Sequence, residues 1–416
     1  MNNKKIIFHI DFDSYFCSAH RSLNSDLDNK PLAIGKNLKR SIASSISYEL
    51  KNKGAKVGWP NYKILEIEPK TIFIKPNFDL YVSLSNRIFD YIAKNYSKNI
   101  QVFSIDECWV DVTSIVNNEN LDPKILALKI QREIMQKFRI PLSIGISYNK
   151  FLAKMGTNFA KPYGVKIIDK NELVNEIWPL PIIKYFGIGE PTKNKLNKIG
   201  IQTIKDLAKA NKESLKLKAI FGSKLGYFVN EANGISDDII HAEKNELKSI
   251  GRELTFLSYD LSDTEEIVKI LSNLVDQVCL RAKNRNMLAG VVTVLVRNTN
   301  KHWNSKQKKL VFLSRDPDEI YKVSYSLFNE IWDGEMIRGI GVRLTNLKNE
   351  FLISNPISLF EKNENKKNSK IERIIKNTNN ILKSNLLKTG TELEKDKVKE
   401  KIQMRYLEED TAKKGY

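Results

Sequence analysis

A multidomain α+β chain built around a split βαβ sheet is predicted, and three observations predict it. Residues up to 168 read in the order strand, helix, strand, strand, helix, strand. Residues 182–235 read as wholly helical. Residues 246–350 return to mixed strands and helices as a separate unit. At 416 residues the chain exceeds what one core sustains and suits two to four domains.

The elements follow in chain order. Residues 5–10 are a short apolar run expected to form a buried strand, with Asp11 where it ends. A helix starts over 14–23 and a strand over 31–35, while 41–47 is small and polar. Residues 48–53 are helical and stop at Gly54, a C-cap. Apolar residues at helical spacing (Tyr81, Leu84, Ile88, Tyr91, Ile92) predict an amphipathic helix over 78–96. Two short strands over 101–112 form a hairpin with Ile105, Asp106 and Glu107 at its turn. A further amphipathic helix over 123–138 and a strand over 142–146 complete a sheet with helices on one face. In the C-terminal unit a helix is expected over 265–283. Val292, Val294 and Val296 alternate with Thr293, Leu295 and Arg297 in a strand over 290–297. Residues 309–313 pair with that strand across a polar loop, and 339–344 form a last strand. After Phe360 the chain is rich in Lys, Asn and Glu and reads as a tail of weak helices or disorder.

Charge narrows the partners. The chain carries a net +19; the tail after Phe360 holds 15 Lys/Arg against 10 Asp/Glu, a net +5, which leaves +14 on residues 1–360. A basic body points to a polyanion, nucleic acid before membrane surface. Arg281, Lys283, Arg285, Arg297, Lys301, Lys306, Lys308 and Lys309 cluster around the C-terminal hairpin, as a solvated face or a phosphate-contacting one. Hydrophobic residues at 41% exclude global disorder. Three scattered cysteines and four histidines give no zinc-ligand pattern and suit a reducing, cytoplasmic compartment. The N-terminal apolar run is too short for a signal peptide and no stretch is long enough to span a bilayer, so a soluble protein is expected.

Three carboxylates carry the chemistry. Asp11 closes a central strand, and Asp106 with Glu107 sits on a neighbouring hairpin, so the three can converge. Phosphoryl transfer uses two metal ions ~3.5–4 Å apart that stabilise the attacking and leaving oxygens. Magnesium takes oxygen ligands from a few carboxylates plus substrate phosphates. Any one acid at a turn is ordinarily just solvated; DFD followed some 90 residues later by SIDE is harder to explain that way. Beyond them, Gly187-Ile188-Gly189, continuing to Gly200-Ile201, has the spacing of a helix–hairpin–helix. Glycines there let backbone N–H groups approach a DNA phosphate.

Together these blocks resemble the Y-family translesion DNA polymerases, the DinB/UmuC group, over residues 6–360. HIDFDSYFCSAH, SYELKNKGAKVG, FSIDECWVDV, GISYNKFLAKMGTNFAKPYGV and GIGVRLTNL match family blocks in order. The resemblance implies a right-hand polymerase: a palm from 1–12 and 76–168, small fingers from 13–75, and a helical thumb from 169–240. It also implies a little finger from 246–350. Asp11, Asp106 and Glu107 match the catalytic metal ligands for two Mg2+ ions, with the main-chain carbonyl of Phe12 completing one coordination shell. Phe16 matches the steric gate that clashes with a ribose 2′-hydroxyl. Ser45, Tyr48, Lys51 and Lys161 match the triphosphate contacts; Asp13 is not assigned as a ligand.

Two departures are visible. Many family members have Tyr-x-x-Arg where this chain has Tyr48-Glu-Leu-Lys51, which supplies a point charge without the bidentate fork of arginine. Residues 41–47 also differ from the family's usual small hydrophobic pattern, which bears on lesion and base preference. Residues 355–360 resemble a sliding-clamp-binding peptide anchored by Ile357, Leu359 and Phe360, with Pro356 in place of the usual leading Gln. The implied partners are primer–template DNA, deoxynucleoside triphosphates and the clamp, with the enzyme a monomer. Gly187, Gly189, Arg297 and Lys301 are the expected DNA contacts. Two other readings stand beside this one: a palm-fold nucleotidyl cyclase, and a catalytically silent DNA-bound scaffold that recruits factors to the clamp. A cyclase should lack the helix–hairpin–helix and the basic C-terminal unit.

Overall fold

The computed structural model describes residues 5–352 except 37, 39, 237, 238 and 241–246. They fall into two compact units: one runs from residue 5 to 240 without residues 38 and 40, and the other holds 247–352 with those two. The expected clamp peptide with Ile357, Leu359 and Phe360, and the tail after it, lie outside the described residues. In the first unit the strands are β1 (Ile7–Phe12), β2 (Leu32–Ile34), β3 (Ser45–Ile46), β4 (Ile72–Ile74), β5 (Ile100–Val102), β6 (Glu107–Asp111), β7 (Leu142–Ser147) and β8 (Val165–Ile167). The second adds β9 (Ser249–Thr255), β10 (Met287–Asn298), β11 (Trp303–Ser314) and β12 (Ile337–Asn349).

The central sheet has the order β5-β6-β1-β7-β8, with β1 antiparallel to both β6 and β7. The β7-β1-β6-β5 portion is the split βαβ arrangement the element order predicts. Side chains alternate along β1 with period two, so Phe8, Ile10 and Phe12 share one face and Ile7, His9 and Asp11 the other. Phe8, Ile10 and Phe12 are buried in the main core beneath helices Phe78–Asn95 and Pro123–Phe138. Asn77 caps the first helix, and Asp122 with Pro123 starts the second.

The expectation of helices on one face only is corrected. Helix Lys150–Ala160 covers part of the opposite face, where Ala153 packs with Ile7 and Trp109. Gly145 on β7 permits this closeness: a Cβ there would overlap the carbonyl of Ala153 and the backbone nitrogen of Thr157. Buried on both faces, β1 reads as a nearly unbroken apolar run interrupted only by His9 and Asp11.

Residues 182–235 are less helical than expected. Ile182–Lys184 forms a single 3-10 turn, and Gly187 (φ 96°) breaks the chain before helix Glu190–Asn197. Helices Ile204–Ala208, Leu215–Phe221 and Leu225–Ala232 follow, the first opened by a reciprocal Thr203–Asp206 capping box. They close over Tyr185, Leu196, Leu207, Leu217 and Val229.

The second unit is a four-stranded antiparallel sheet, β11-β10-β12-β9, packed on helices Thr264–Lys283 and Pro317–Ile331. Val291 pairs with Lys309, as the expected hairpin requires. Sequence reading passed over β9 and helix Pro317–Ile331. The helix had a start signal: Asp316 accepts from the N–H groups of Asp318 and Glu319, with Pro317 at the first helical position.

Candidate active site

Strand pairing brings the three acids together. Asp11 on β1 stands directly opposite Glu107, the first residue of β6. The Phe12 N–H donates to the Asp106 carbonyl at 2.8 Å, tying the turn before β6 to the end of β1. Phe12 itself is buried and stacked on Phe89, so only its main chain can serve the site. Ser104 Oγ donates to Asp106 Oδ1 at 2.5 Å within the same turn.

Cations surround the acids. Lys161 Nζ lies 2.6 Å from Asp11 Oδ1, and Lys154 Nζ lies 3.5 Å from Oδ2 while also pairing with Glu107 Oε2. Burial alone would raise the Glu107 carboxyl, but His9 and Lys154 outweigh it and hold it near 2. Asp106 is raised, first by burial and then by the charges of Asp11 and Glu107, against the hydrogen bond from Ser104. The imidazole of His9, fully buried, is pushed down to about 4 by desolvation. Among the described residues, no three carboxylate, imidazole or thiol groups already stand at metal-ligand spacing. The donor set is nevertheless an all-oxygen one, concentrated negative charge that draws two ammonium groups, and it fits a hard divalent cation.

Of the expected triphosphate residues, Tyr48 is bonded to Asp13 and Lys51 and Lys161 act on it electrostatically, while Ser45 contacts Cys17. The Asp13 carboxylate accepts from Tyr48 Oη (3.2 Å), from Ser143 Oγ (3.0 and 2.9 Å) and from the Tyr163 N–H (2.8 Å). Burial raises Asp13, and the Tyr163 and Ser143 hydrogen bonds oppose the shift. Asp13 is therefore a brace that joins residues from three segments. Lys51 Nζ sits 4.2 Å from the centre of the Tyr48 ring, and burial and the nearby Lys161 lower its pKa. Ser45 Oγ lies 3.8 Å from Cys17 Sγ. Phe16 is half-buried and stacked on Tyr81, with ring centres 4.1 Å apart and planes 7° from parallel.

The four expected DNA contacts are placed differently from one another. Gly187 has the left-handed backbone a side chain would strain, and Gly189 is the N-cap of helix Glu190–Asn197. Arg297 is engaged within its own sheet: it donates to Thr255 Oγ1 on β9 (3.1 Å) and to the Lys301 carbonyl in its own hairpin turn (3.2 Å), and lies over Trp303. Lys301 occupies the β10–β11 turn with φ 69°. A polar cleft elsewhere in that unit is lined by Arg252, Arg281 and Arg343 together with Glu253, which pairs with Arg343, while Arg281 donates to the Gly251 carbonyl (2.8 Å).

Sequence reading missed His9, Lys154 and Ser143. His9 had a signal, because residues two apart on a strand share a face and Asp11 was already singled out. Lys154 lies seven residues before Lys161, two helical turns along the same face. Ser143 had none, since its place depends on the β1–β7 register, where it faces Asp11.

A split sheet presenting three convergent acids flanked by Lys154 and Lys161 defines a class, and the comparisons agree with it. The impB/mucB/samB family model matches residues 10–158, and the model of that family's C-terminal domain matches 247–353. The chain belongs to this family, the Y-family DNA polymerases. Its similarities place it on the DinB side. It is 35% identical over 364 residues to DNA polymerase IV of Oceanobacillus iheyensis, covering 86% of this chain and 85% of that one. To DNA polymerase IV of Ureaplasma parvum it is 34% identical, with 86% and 99% covered. To DNA polymerase IV 1 of Bacillus subtilis it is 32% identical, with 95% of each covered. Among solved structures, a chimeric Y-family DNA polymerase of Dbh carrying a Dpo4 segment matches with a TM-score of 0.73 at 30% identity, covering 82% of this chain and 99% of the other. DinB from Sulfolobus solfataricus matches with a TM-score of 0.52 at 30% identity, with 82% and 98% covered.

Proposed function

We propose that this chain is a template-directed DNA polymerase that extends primers across damaged template, with low fidelity. The primer 3′-oxygen attacks the α-phosphorus of the incoming deoxynucleotide, the bond to the β-phosphate oxygen breaks, and pyrophosphate leaves. The observation that carries the reading is the convergence of Asp11, Asp106 and Glu107 where β1 meets β6, flanked by Lys154 and Lys161. Family membership implies dependence on a divalent metal.

Asp11, Asp106, Glu107 and the Phe12 carbonyl would hold two Mg2+ ions, which supply stabilisation of the attacking and leaving oxygens. The remaining work falls to this chain's own groups. Tyr48, fixed by Asp13, presents its phenol beside Lys51, and with Ser45 they form one wall of a triphosphate pocket. Lys161 exchanges Asp11 for the triphosphate, where its charge opposes the negative charge gathering on the leaving pyrophosphate. Phe16 is braced from behind by Tyr81 and cannot retreat from a 2′-hydroxyl. Gly187 and Gly189 offer backbone N–H groups to a DNA phosphate, and the cleft of Arg252, Arg281 and Arg343 offers guanidinium groups to another. The segment with Ile357, Leu359 and Phe360 would tether a monomeric enzyme to a sliding clamp. No helix among the described residues is long and apolar enough to cross a membrane, and the buried thiols suit a reducing cytoplasm.

Primer extension with Mg2+ on undamaged and lesion-bearing templates tests the proposal. Extension on both, in the order the template dictates, is expected. Extension on neither would refute it.

A further inference from the structure

His9 occupies a position the two-metal chemistry leaves unexplained. Its ring is fully buried on the same face of β1 as Asp11, edge-on to Trp109. Nδ1 lies 2.8 Å from Thr157 Oγ1, and that hydroxyl is also 3.1 Å from the carbonyl oxygens of His9 and Ala153. Nε2 points at Glu107 and lies 3.3 Å from Oε2, yet the approach is too far off line for a good hydrogen bond. Among the described residues Nε2 has no other acceptor. A buried, nearly unpartnered N–H aimed at a carboxylate is costly unless another state of the site satisfies it.

The hydrogen-bond pattern assigns the tautomer. An Nε2 lone pair facing a carboxylate at 3.3 Å would be repelled, so Nε2 carries the proton. Nδ1 then accepts the single proton of the Thr157 hydroxyl, in place of the His9 and Ala153 carbonyl oxygens that lie 3.1 Å from it. Helix Lys150–Ala160 can bring that hydroxyl to the ring because Gly145 lets it lie against the sheet.

We propose that His9 is a positioning residue for Glu107: its Nε2–H holds Oε2 when the site is loaded and leaves the other oxygen for a metal. The inference rests on the two-metal reading above. Lys154 Nζ also pairs with Oε2. Its ammonium would be repelled from a loaded site, whereas a neutral imidazole would not. Metal-bound carboxylates are commonly fixed by a further hydrogen bond, and losing it typically costs 10–100-fold in metal affinity or activity.

The test is a Mn2+ titration followed by the electron paramagnetic resonance signal of the free ion. The full chain is held on a dideoxy-terminated primer–template with the next deoxynucleotide. His9→Phe keeps a flat ring without the donor, and His9→Gln restores an N–H near the Nε2 position. The expected result is Mn2+ affinity weakened roughly 10- to 100-fold in His9→Phe and kept within about threefold in His9→Gln. Thr157→Val, which frees the tautomer, should weaken affinity several-fold and decides the matter if His9→Phe does not fold. Parental affinity in a folded His9→Phe or in Thr157→Val overturns the proposal. So does a His9→Gln protein of parental thermal midpoint that binds as weakly as His9→Phe. Failure of the parent chain itself to bind Mn2+ would overturn the two-metal reading, a separate outcome.

Discussion

At the scale of single residues, the chemistry depends on a few side chains whose neighbours leave them little freedom. Phe16 is the clearest case: Tyr81 lies parallel behind it and Phe78 meets it edge-on. Phe16→Val should therefore lower discrimination against ribonucleotides by at least about tenfold, a loss of ~1.4 kcal/mol of selectivity. Competing dNTP and rNTP in primer extension measures it, and unchanged discrimination would remove Phe16 from the gate. Some of this site was legible in the sequence because its residues fall in short motifs: Asp11, Phe12 and Phe16 lie within one helical turn or strand end of each other. Ser143 was not, because its place depends on strand register; Lys154 left only its seven-residue spacing from Lys161, and packing of a helix on a sheet is what brings it to the acids.

At the scale of elements, the closeness of helix Lys150–Ala160 to the sheet is what delivers Lys154 and Thr157 to the acids. Gly145→Ala should push that helix outward, since the obstructing atoms are backbone. A loss of about 2–4 kcal/mol in urea unfolding is expected, as for other overpacked sites, with reduced extension; parental stability would contradict the packing argument. A second element-level test concerns helix Leu225–Ala232. Buried Glu231 accepts from Tyr185 Oη (2.9 Å) and Ser236 Oγ (3.3 Å), and its carboxyl is raised, chiefly by burial, against those hydrogen bonds. An acid whose pKa is higher folded than unfolded favours folding below the unfolded value and loses that contribution as pH rises through the folded value. Glu231→Gln keeps an acceptor for Tyr185 without the charge, so its thermal midpoint should exceed the parent's at pH 8 and match it near pH 4. A lower midpoint at pH 8 would count against the assignment. Elements with strong periodicity, such as Phe78–Asn95 and Pro123–Phe138, were readable to within a residue or two. β9 was not, because Ser249–Thr255 is short, polar and partly exposed, and its strand character comes from pairing with β12.

For the whole molecule, binding and chemistry separate. Of the +14 carried by residues 1–360, residues 1–240 hold +12 and residues 241–360 only +2, so affinity for the DNA backbone rests on many weak, salt-screened contacts that lie mostly in the first unit. Chemistry rests on one cluster where β1 meets β6. The order of a sheet-bearing unit, a helical segment and a second sheet-bearing unit was legible from composition and periodicity. The internal use of Arg297 was not, because a charged residue on a strand gives no sign of whether it faces solvent or bonds within its own sheet.

The most direct test of the central claim compares the parent with Asp106→Ala on one labelled primer–template, measuring duplex affinity and single-nucleotide extension with Mg2+ in the same preparation. The account predicts affinity within about threefold of the parent and extension reduced at least ~1,000-fold, or about 4 kcal/mol of transition-state stabilisation. Extension by Asp106→Ala at the parental rate would contradict it.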